Sequence, residues 1–323
     1  MRRRALVLSM LGTAGAAGAR AQALPRIGYL SGRSQATDAH LLAAFLEGLK
    51  AGGFVDGETV KVEVRWADGR YDEVPKLAEA VVQTQPNILV AVGGNPVSLA
   101  AKQATQRIPV LFGAGADPVQ IGLVANLNRP EANLTGMTLY AQDLDAKRLE
   151  MLHDMLPSAR RIALLLNPQN PAADAEMAYT RQAADALRLQ LDVVNASRSG
   201  EIERGFAGLA PGTVDALAVA ADAFLINRRA RILELAAERR LPGMFPNREF
   251  VLDGGLASYG ARWSDMYRLL GTYAARMLKG ARPAELPVQR PTTFELVLNL
   301  KTARTLGLAL SPLVLNRADE VLE

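Results

Sequence analysis

The sequence contains no cysteine and only two histidines among its 323 residues. Without cysteine the protein forms no disulfide bond and offers no thiol for a lipid anchor, so we expect its hydrophobic core alone to stabilise it. His40 and His153 are far apart in the sequence, and each lies within a helical pattern. Zinc sites need clustered cysteine or histidine, and a Ser–His–Asp triad needs a histidine beside its serine. We therefore predict no metal site, no cofactor and no catalytic residue.

Nucleotide-binding and hydrolase motifs are also missing. The stretch FGAGADPV, Phe112–Val119, is rich in glycine and follows an apolar run, as phosphate-binding loops do. Gly113 and Gly115 match the first two glycines of the dinucleotide-binding motif, but Pro118 occupies the third position. The sequence has no P-loop and no G-x-S-x-G nucleophile motif. An enzyme would have to use a pair of carboxylates, and an exported α/β hydrolase of that kind stays open as the less favoured alternative.

The N-terminus has the features of an export signal. Arg2–Arg4 precede a stretch of small and apolar residues, Ala5–Gly18, and Ala21–Ala23 matches the A-x-A cleavage motif. The apolar stretch is shorter than the roughly 20 residues that span a bilayer. We predict that residues 1–23 are a signal peptide removed after Ala23, and that the mature protein is periplasmic without a stable membrane anchor.

The export signal also accounts for the basic composition of the chain. It contains four of the 37 basic residues and no acidic residue, so the remaining chain has 33 residues of each sign. Nucleic-acid binding requires a basic surface, which a chain of zero net charge does not favour. We therefore expect no nucleic-acid partner.

Short apolar runs alternate with helical patterns from residue 26 onward, which is typical of a parallel α/β sheet. A strand, a loop and a helix are followed by Arg-Ile-Pro at 107–109 and, in the second half, by Arg-Leu-Pro at 240–242. This repeat is either a chance likeness of α/β units or a sign of two similar lobes in tandem. The predicted strands are Ile27–Leu30, Val60–Val64, Ile88–Val92, Val110–Phe112, Ile162–Leu166, Leu191–Val194 and Ala216–Val219.

Two Asn-Pro pairs follow predicted strands, one at Asn95 in the first half and one at Asn170 in the second. Asparagine is a favoured N-cap and proline a favoured first residue of a helix, so we expect each asparagine to cap a helix. The free N–H groups and the dipole at such a helix start attract carboxylate or phosphate. Each half of the chain is therefore predicted to present one anion-binding helix start.

Several ordered blocks carry a family resemblance, and they are RIGYLSG (26–32), VEVRWADGRYDEVPKLA (62–78), IPVLFGAGADPVQIGLVANLNRPEANLTGMT (108–138), KRLEMLHDMLP (147–157), LNPQNPAA (166–173), REFVLDGGLASYG (248–260), PTTFELVLNLKTARTLGL (291–308) and ADEVLE (318–323). Through these blocks the chain resembles the ABC-transporter substrate-binding proteins of the family that includes tryptophan- and tyrosine-binding members. One departure is AADAF (220–224), where the family tends to carry a proline beside the aspartate.

The resemblance implies an α/β fold of the type I periplasmic-binding class. Two Rossmann-like lobes face each other across a ligand cleft, and three crossover segments join them, so that hinge closure traps the ligand. We expect lobe 1 to contain residues 24–139 and 264–292, and lobe 2 to contain residues 140–263 and 293–323. The crossings are placed near 138–140, 261–264 and 291–294.

The resemblance also implies that the protein binds its ligand without catalysing a reaction. The protein would be a monomeric solute receptor of an ABC importer that binds a small polar organic molecule. An amino acid is the favoured solute, and an aromatic amino acid is one candidate within that class. It would deliver this solute to a membrane permease. A sensor of the same fold that signals through a membrane partner is an open alternative, because the fold serves both roles.

Candidate ligand-binding residues lie in loops that follow strands. The ligand carboxylate would bind at the predicted helix starts or at Arg248, and the ammonium at Asp117 or Asp222. Tyr29, Phe245 and Tyr259 could line an apolar pocket, with core packing as the alternative. The full set of predicted ligand-binding residues is Ser31, Gly32, Gly94, Asn95, Gly115, Asp117, Asn167, Asn170, Asp222, Asn247, Arg248, Glu249 and Tyr259.

Overall fold

Two separate β-sheets organise the chain in the computed structural model, which describes residues 23–130, 132–139, 141–210 and 212–323. Residues 1–22 of the predicted export signal lie outside the described residues. Each predicted strand is confirmed, and further short strands complete both sheets. The strands are β1 (Arg26–Ser31), β2 (Lys61–Trp66), β3 (Ile88–Val92), β4 (Val110–Ala114), β5 (Leu134–Thr138), β6 (Arg161–Leu166), β7 (Gln190–Asn195), β8 (Ala216–Val219), β9 (Gly243–Phe245), β10 (Ala257–Ala261), β11 (Phe294–Asn299) and β12 (Glu320–Leu322).

Helices connect most of these strands, as expected for parallel crossovers. A 3-10 turn, Pro283–Glu285, follows the last long helix. The helices are α1 (Gln35–Ala51), α2 (Val74–Gln83), α3 (Asn95–Ala104), α4 (Ala141–Met155), α5 (Ala173–Leu187), α6 (Glu201–Gly208), α7 (Ala223–Asn227), α8 (Arg229–Glu238), α9 (Arg248–Leu252), α10 (Trp263–Leu278), α11 (Leu300–Leu306) and α12 (Pro312–Asn316).

The first sheet has the strand order β2-β1-β3-β4-β5, and all its strands are parallel. The second sheet has the order β12-β11-β10-β9-β8-β6-β7. Its strands β6 to β10 are parallel, whereas β11 pairs with β10 in the antiparallel sense. The carboxyl ends of parallel strands gather loops at one edge of each sheet, which is where ligands bind in such folds.

The chain passes between the two sheets three times. It leaves the first sheet between β5 and α4, returns between β10 and α10, and leaves again before β11. Before the third crossing, the Thr138 N–H donates to the Gln289 carbonyl at 2.9 Å, which holds the segment after the 3-10 turn against β5. The predicted two lobes and three crossings are thus confirmed, while the exact residue limits of the lobes stay a prediction.

Helix α10 lies far along the chain but packs tightly on α1 of the first lobe. Two glycines permit the contact: a Cβ at Gly271 would lie 2.0 Å from the Phe45 carbonyl oxygen, and one at Gly48 would lie 1.8 Å from that of Arg268. The backbones of the two helices therefore touch at these positions, and any side chain there would force them apart.

We expect Gly271→Ala to lower the free energy of unfolding by about 1–3 kcal/mol, because overpacking a closed contact costs that amount. Urea unfolding followed by circular dichroism measures the change. Gly208→Ala is the matched control, since Gly208 is also helical and a Cβ there meets no atom within 4 Å. The control should be neutral or slightly stabilising, and equal losses in both variants would contradict the close helix contact.

Candidate functional site

A cavity lies between the two lobes, at the carboxyl ends of their strands. The first lobe contributes the glycine-rich segments Gly93–Gly94 and Gly113–Gly115, which follow or end β3 and β4. The second lobe contributes Asn170 after β6 and Ala221–Ala223 after β8. Because these segments belong to different lobes, a molecule in the cavity would be held by both.

Aromatic and aliphatic side chains form a large part of the cavity wall. Trp263, Met266 and Tyr267 come from the first turns of α10, and Tyr71 comes from the loop before α2. Burial raises the pKa of the Tyr267 and Tyr71 hydroxyls well above their usual range, so both remain neutral phenols. The wall therefore suits a flat, apolar group.

One buried cation lines the cavity. Arg33 follows β1, is only 5% exposed, and forms an ion pair with Asp38 in which Nη1 lies 3.2 Å from Oδ2. Its guanidinium carbon stacks 3.8 Å from the ring centroid of Trp263. Burial alone would lower the pKa of Arg33, but Asp38, Tyr267 and Glu249 together outweigh it and raise that pKa, so the guanidinium stays charged. Its Nε atom is buried and has no hydrogen-bond partner among the described residues.

One buried carboxyl group also lines the cavity, and it connects the lobes. Asp222 is 3% exposed and caps α7, since its Oδ1 accepts from the Leu225 N–H at 3.1 Å and from Asn167 Nδ2 at 3.0 Å. Its Oδ2 accepts from the Tyr71 hydroxyl of the first lobe. Burial raises the pKa of Asp222, while the hydrogen bonds from Tyr71 and Asn167 oppose that shift.

The two asparagines of the Asn-Pro pairs meet across the cleft. Asn95 Nδ2 donates to Asn170 Oδ1 at 3.1 Å, and Asn95 Oδ1 accepts from the backbone N–H groups of Gly115 and Ala116. The prediction that these side chains cap helices is therefore wrong: α3 has Gly94 as its N-cap and α5 has Ala172, without a side-chain bond in either case. One hydrogen bond between the two amides instead joins the lobes.

A second buried carboxyl group lies behind Asn170. Glu176 on α5 is 2% exposed, and its Oε1 accepts from Asn170 Nδ2 at 3.5 Å. Burial raises the pKa of Glu176 well above its usual range, and the nearby carboxyl groups of Asp145 and Asp222 raise it further. Arg148 opposes this shift, but it is already bound to Asp145.

Five of the predicted ligand-binding residues line the cavity, namely Gly94, Asn95, Gly115, Asn170 and Asp222. They all follow strands of the two sheets, so the rule that ligands bind at the carboxyl ends of strands brings them together. Their contact with a ligand stays a prediction.

The other predicted residues from the same loops lie outside the lining. Ser31 is fully buried and accepts from the Arg33 N–H at 3.2 Å, and a Cβ on Gly32 would lie 2.4 Å from the Gly93 carbonyl oxygen. Asn167 acts through Asp222, to which it donates. Asp117 accepts from the Val119 N–H at 2.8 Å, which fixes its own turn. These residues therefore hold neighbouring parts of the loops in place and do not themselves line the cavity.

The predicted residues around α9 also lie outside the cavity lining. Arg248 pairs with Glu295 at 3.2 Å and with Glu320 at 2.7 Å, so carboxylates of the second lobe already occupy its guanidinium. Glu249 accepts from His40 of the first lobe at 2.9 Å. Asn247 is buried ahead of α9. Arg248 is thus paired with carboxylates of the protein, whereas its predicted partner was the carboxylate of the ligand.

The three predicted aromatic wall residues pack elsewhere as well. Tyr259 stacks on Phe294 with ring centroids 6.2 Å apart, and it packs against buried apolar residues of the second lobe. Phe245 stacks on Phe250, and Tyr29 packs against Phe45. The structure therefore shows core packing, which was the alternative for these three rings. Trp263, Tyr71 and Tyr267 form the cavity wall instead.

Metal sites and membrane-spanning helices are both missing from the part of the chain that the structure describes. Within it, no group of three or more histidine, aspartate or glutamate residues is arranged to hold a metal ion. None of the helices there combines the length and apolar character that crossing a bilayer requires.

Comparison with known proteins places the chain in a family. A family model described as ABC transporter substrate binding protein matches residues 35–322. The chain is 25% identical over 264 residues to the tyrosine-binding protein of Clostridioides difficile, covering 82% of this chain and 75% of that protein.

Solved structures agree on the fold. A Streptococcus pneumoniae ABC domain in complex with L-Trp has a TM-score of 0.85 at 23% identity, covering 93% of this chain and 100% of that one. A conserved domain protein of Vibrio cholerae also has a TM-score of 0.85. It is 24% identical, and the match covers 92% of this chain and 99% of that one. With two lobes, three crossings, an interlobe cavity and a family match over most of its length, the chain belongs to the ABC transporter substrate-binding proteins, which bind solutes and are not enzymes.

Proposed function

We propose that this protein binds a free aromatic amino acid in the interlobe cavity, as the solute receptor of an ABC importer. The observation that carries the proposal is the presence of one buried cation, Arg33, and one buried carboxyl group, Asp222, in a cavity walled by Trp263 and Tyr267. A free amino acid has a carboxylate and an ammonium, and an aromatic one has a ring that suits such a wall.

The carboxylate of the ligand binds Arg33 in this account. The guanidinium donates from Nη1 to Asp38 Oδ1 at 3.3 Å, while Nε is buried without a partner among the described residues. A carboxylate at Nε would supply the missing acceptor and form a charge-assisted hydrogen bond. Asp38 and Trp263 hold the guanidinium in place, so little conformational entropy is lost on binding.

The ammonium of the ligand binds beside Asp222. This carboxyl group already receives hydrogen bonds from Tyr71, Asn167 and the Leu225 N–H, which fix its orientation. Each carboxylate oxygen can accept more than one hydrogen bond. Because burial raises the pKa of Asp222, an adjacent positive charge would favour its ionised form.

The relatives support this ligand class. One relative is named a tyrosine-binding protein, and one solved structure of the same fold holds L-Trp. Both ligands are aromatic amino acids, in line with the aromatic wall found here. The departure at 220–224, where the family tends to have a proline, concerns the segment that carries Asp222 and leaves the chemistry of that carboxyl group in place.

Closure of the lobes completes the proposed transport function. Polar contacts join the lobes at Asn95–Asn170, at His40–Glu249 and between the Ser34 N–H and Asn227 Oδ1 at 3.1 Å. A ligand that bridges Arg33 and Asp222 adds to these contacts and favours the closed form. The closed receptor, exported to the periplasm by residues 1–23, then presents its solute to a membrane permease.

A thermal-shift panel tests the ligand class. L-Trp, L-Tyr and L-Phe are compared with L-Leu, benzoate and xylose on the purified mature protein. An aromatic amino acid at 100 times its dissociation constant should raise the free energy of unfolding by about 2.7 kcal/mol. A shift with benzoate or xylose and none with any amino acid would contradict the proposal.

A further inference from the structure

We propose that Glu176 is the charge sensor of the ligand site: it releases its proton when a cationic group binds beside Asp222, so that solute binding releases a proton to solvent. This inference rests on the proposed function, because it requires a ligand with an ammonium. It assigns Glu176 a specificity-determining role although Glu176 does not itself line the cavity.

The position of Glu176 connects it to the cavity through one residue. Asn170 lines the cavity, donates its Nδ2 hydrogen to Glu176 Oε1, and accepts from Asn95 of the other lobe at its Oδ1. The second carboxyl oxygen, Oε2, is buried and has no hydrogen-bond partner among the described residues. A carboxyl group with one oxygen unbonded in the interior is poorly solvated, and its ionised form is costly there.

The charges that face Glu176 make ionisation costlier still. Helix α4 presents Asp145 and Arg148, which bind each other, and the loop after β8 presents Asp222. Tyr71 also faces it, and it is a neutral phenol. The guanidinium of Arg148 is the cation that opposes the charge on Glu176, and it is already engaged by Asp145, by the Tyr259 carbonyl and by the Pro246 carbonyl. In the empty site Glu176 is therefore the group that keeps its proton.

A ligand ammonium changes this balance. A positive charge beside Asp222 lies near the same cluster and offsets the negative potential that keeps Glu176 protonated. The Glu176 O–H bond then breaks, its proton passes to water or buffer, and the carboxylate remains while the ligand keeps its own ammonium protons. A ligand without an ammonium leaves Glu176 protonated and gains none of this electrostatic attraction. The cluster therefore favours amino acids over aromatic carboxylic acids.

Titration calorimetry in buffers with different ionisation enthalpies tests the inference. L-Trp or L-Tyr, whichever binds more tightly in the panel, is titrated into the protein at pH 6.5 in phosphate and in imidazole buffer. The wild type should release a measurable fraction of a proton per ligand bound, and Glu176→Gln should release much less. Glu79→Gln, a change on the exposed face of α2, should match the wild type.

Affinity measured against pH gives a second readout that does not depend on a variant. Release of a proton means that the wild-type association constant rises with pH until Glu176 is ionised in the free protein, and then levels off. Wild-type binding without proton release, or equal release in Glu176→Gln, would overturn the role of Glu176 and leave the proposed function intact. If no amino acid binds at all, the proposed function fails, and the inference fails with it.

The stability of the unliganded protein provides an independent check. Because the pKa of Glu176 is higher in the folded than in the unfolded state, its contribution to stability falls as pH rises from the unfolded value through the raised one. Glu176→Gln should therefore unfold at the same temperature as the wild type at pH 4 and at a higher temperature at pH 8. If Glu176→Gln is less stable than the wild type at pH 8, the claim that an ionised Glu176 destabilises the folded protein is contradicted.

Discussion

Replacement of Arg33 by glutamine should weaken the binding of an aromatic amino acid by about 30-fold or more. Loss of one partner of a buried, hydrogen-bonded charge pair costs about 2–5 kcal/mol, and 1.4 kcal/mol corresponds to a tenfold change. In the proposed complex this pair is the ligand carboxylate and the guanidinium, whose Nε has no partner among the described residues. Isothermal titration calorimetry with L-Trp and L-Tyr measures the loss.

The single variant needs a control for folding, because it leaves Asp38 buried without its ion-pair partner. Breaking a buried pair from one side costs about 3–5 kcal/mol of stability. The double variant Arg33→Gln/Asp38→Asn removes both charges, so it should recover most of that stability without recovering affinity. A stable double variant that binds as tightly as the wild type would remove Arg33 from the ligand site.

Replacement of Asp222 by asparagine should also weaken amino-acid binding by about 30-fold or more, since it removes the buried carboxylate that is the proposed partner of the ligand ammonium. Asparagine keeps an oxygen that can accept from the Leu225 N–H and cap α7, so the fold should tolerate the change. Calorimetry with the same ligands gives the ratio of dissociation constants.

The matched control is Asp117→Asn in the first lobe. The sequence left Asp117 and Asp222 as alternative ammonium partners, but Asp117 bonds to its own turn and lies outside the cavity lining. We therefore expect Asp117→Asn to bind with unchanged affinity. A loss in Asp117→Asn together with normal binding in Asp222→Asn would reverse the assignment of the two aspartates.

The general architecture could be predicted because the buried strands are short apolar runs. The runs at Ile88–Val92 and Ile162–Leu166 became β3 and β6, each buried on both faces as parallel strands are. Strand β5, with the sequence LTGMT, is short and mixes polar with small residues, so no periodicity marks it. Strand β12 has three residues and forms only because β11 lies beside it. Its formation is a tertiary effect.

The candidate site could be predicted in part, for a similar reason. The loops after strands selected Asn95, Asn170 and Asp222, because parallel strands bring such loops to one edge. The same rule applied two residues beyond Ser31 selects Arg33. An arginine in a loop is usually solvent-exposed, however, whereas this one is buried and contacts Asp38 and Trp263.

The aromatic wall could not be predicted from local pattern. Trp263 and Tyr267 begin a helix that follows β10 of the second lobe, yet this helix packs on α1 of the first. The sequence placed a crossing close to these residues without indicating which face of the helix would meet the cavity. Similarly, Tyr71 of the first lobe reaches Asp222 of the second across 151 positions of the chain, and no local pattern marks such a contact.

The central claim is that one cavity recognises both charges of an aromatic amino acid, and ligand analogues test it most directly. Calorimetry compares L-Trp with tryptamine, which lacks the carboxylate, and with indole-3-propionate, which lacks the ammonium. If L-Tyr binds more tightly, tyramine and 3-(4-hydroxyphenyl)propionate take their places. The account predicts that each analogue binds about 30-fold or more weakly than the amino acid, because each leaves one buried charge of the protein unpaired. Binding of either analogue as tight as that of the amino acid would contradict it.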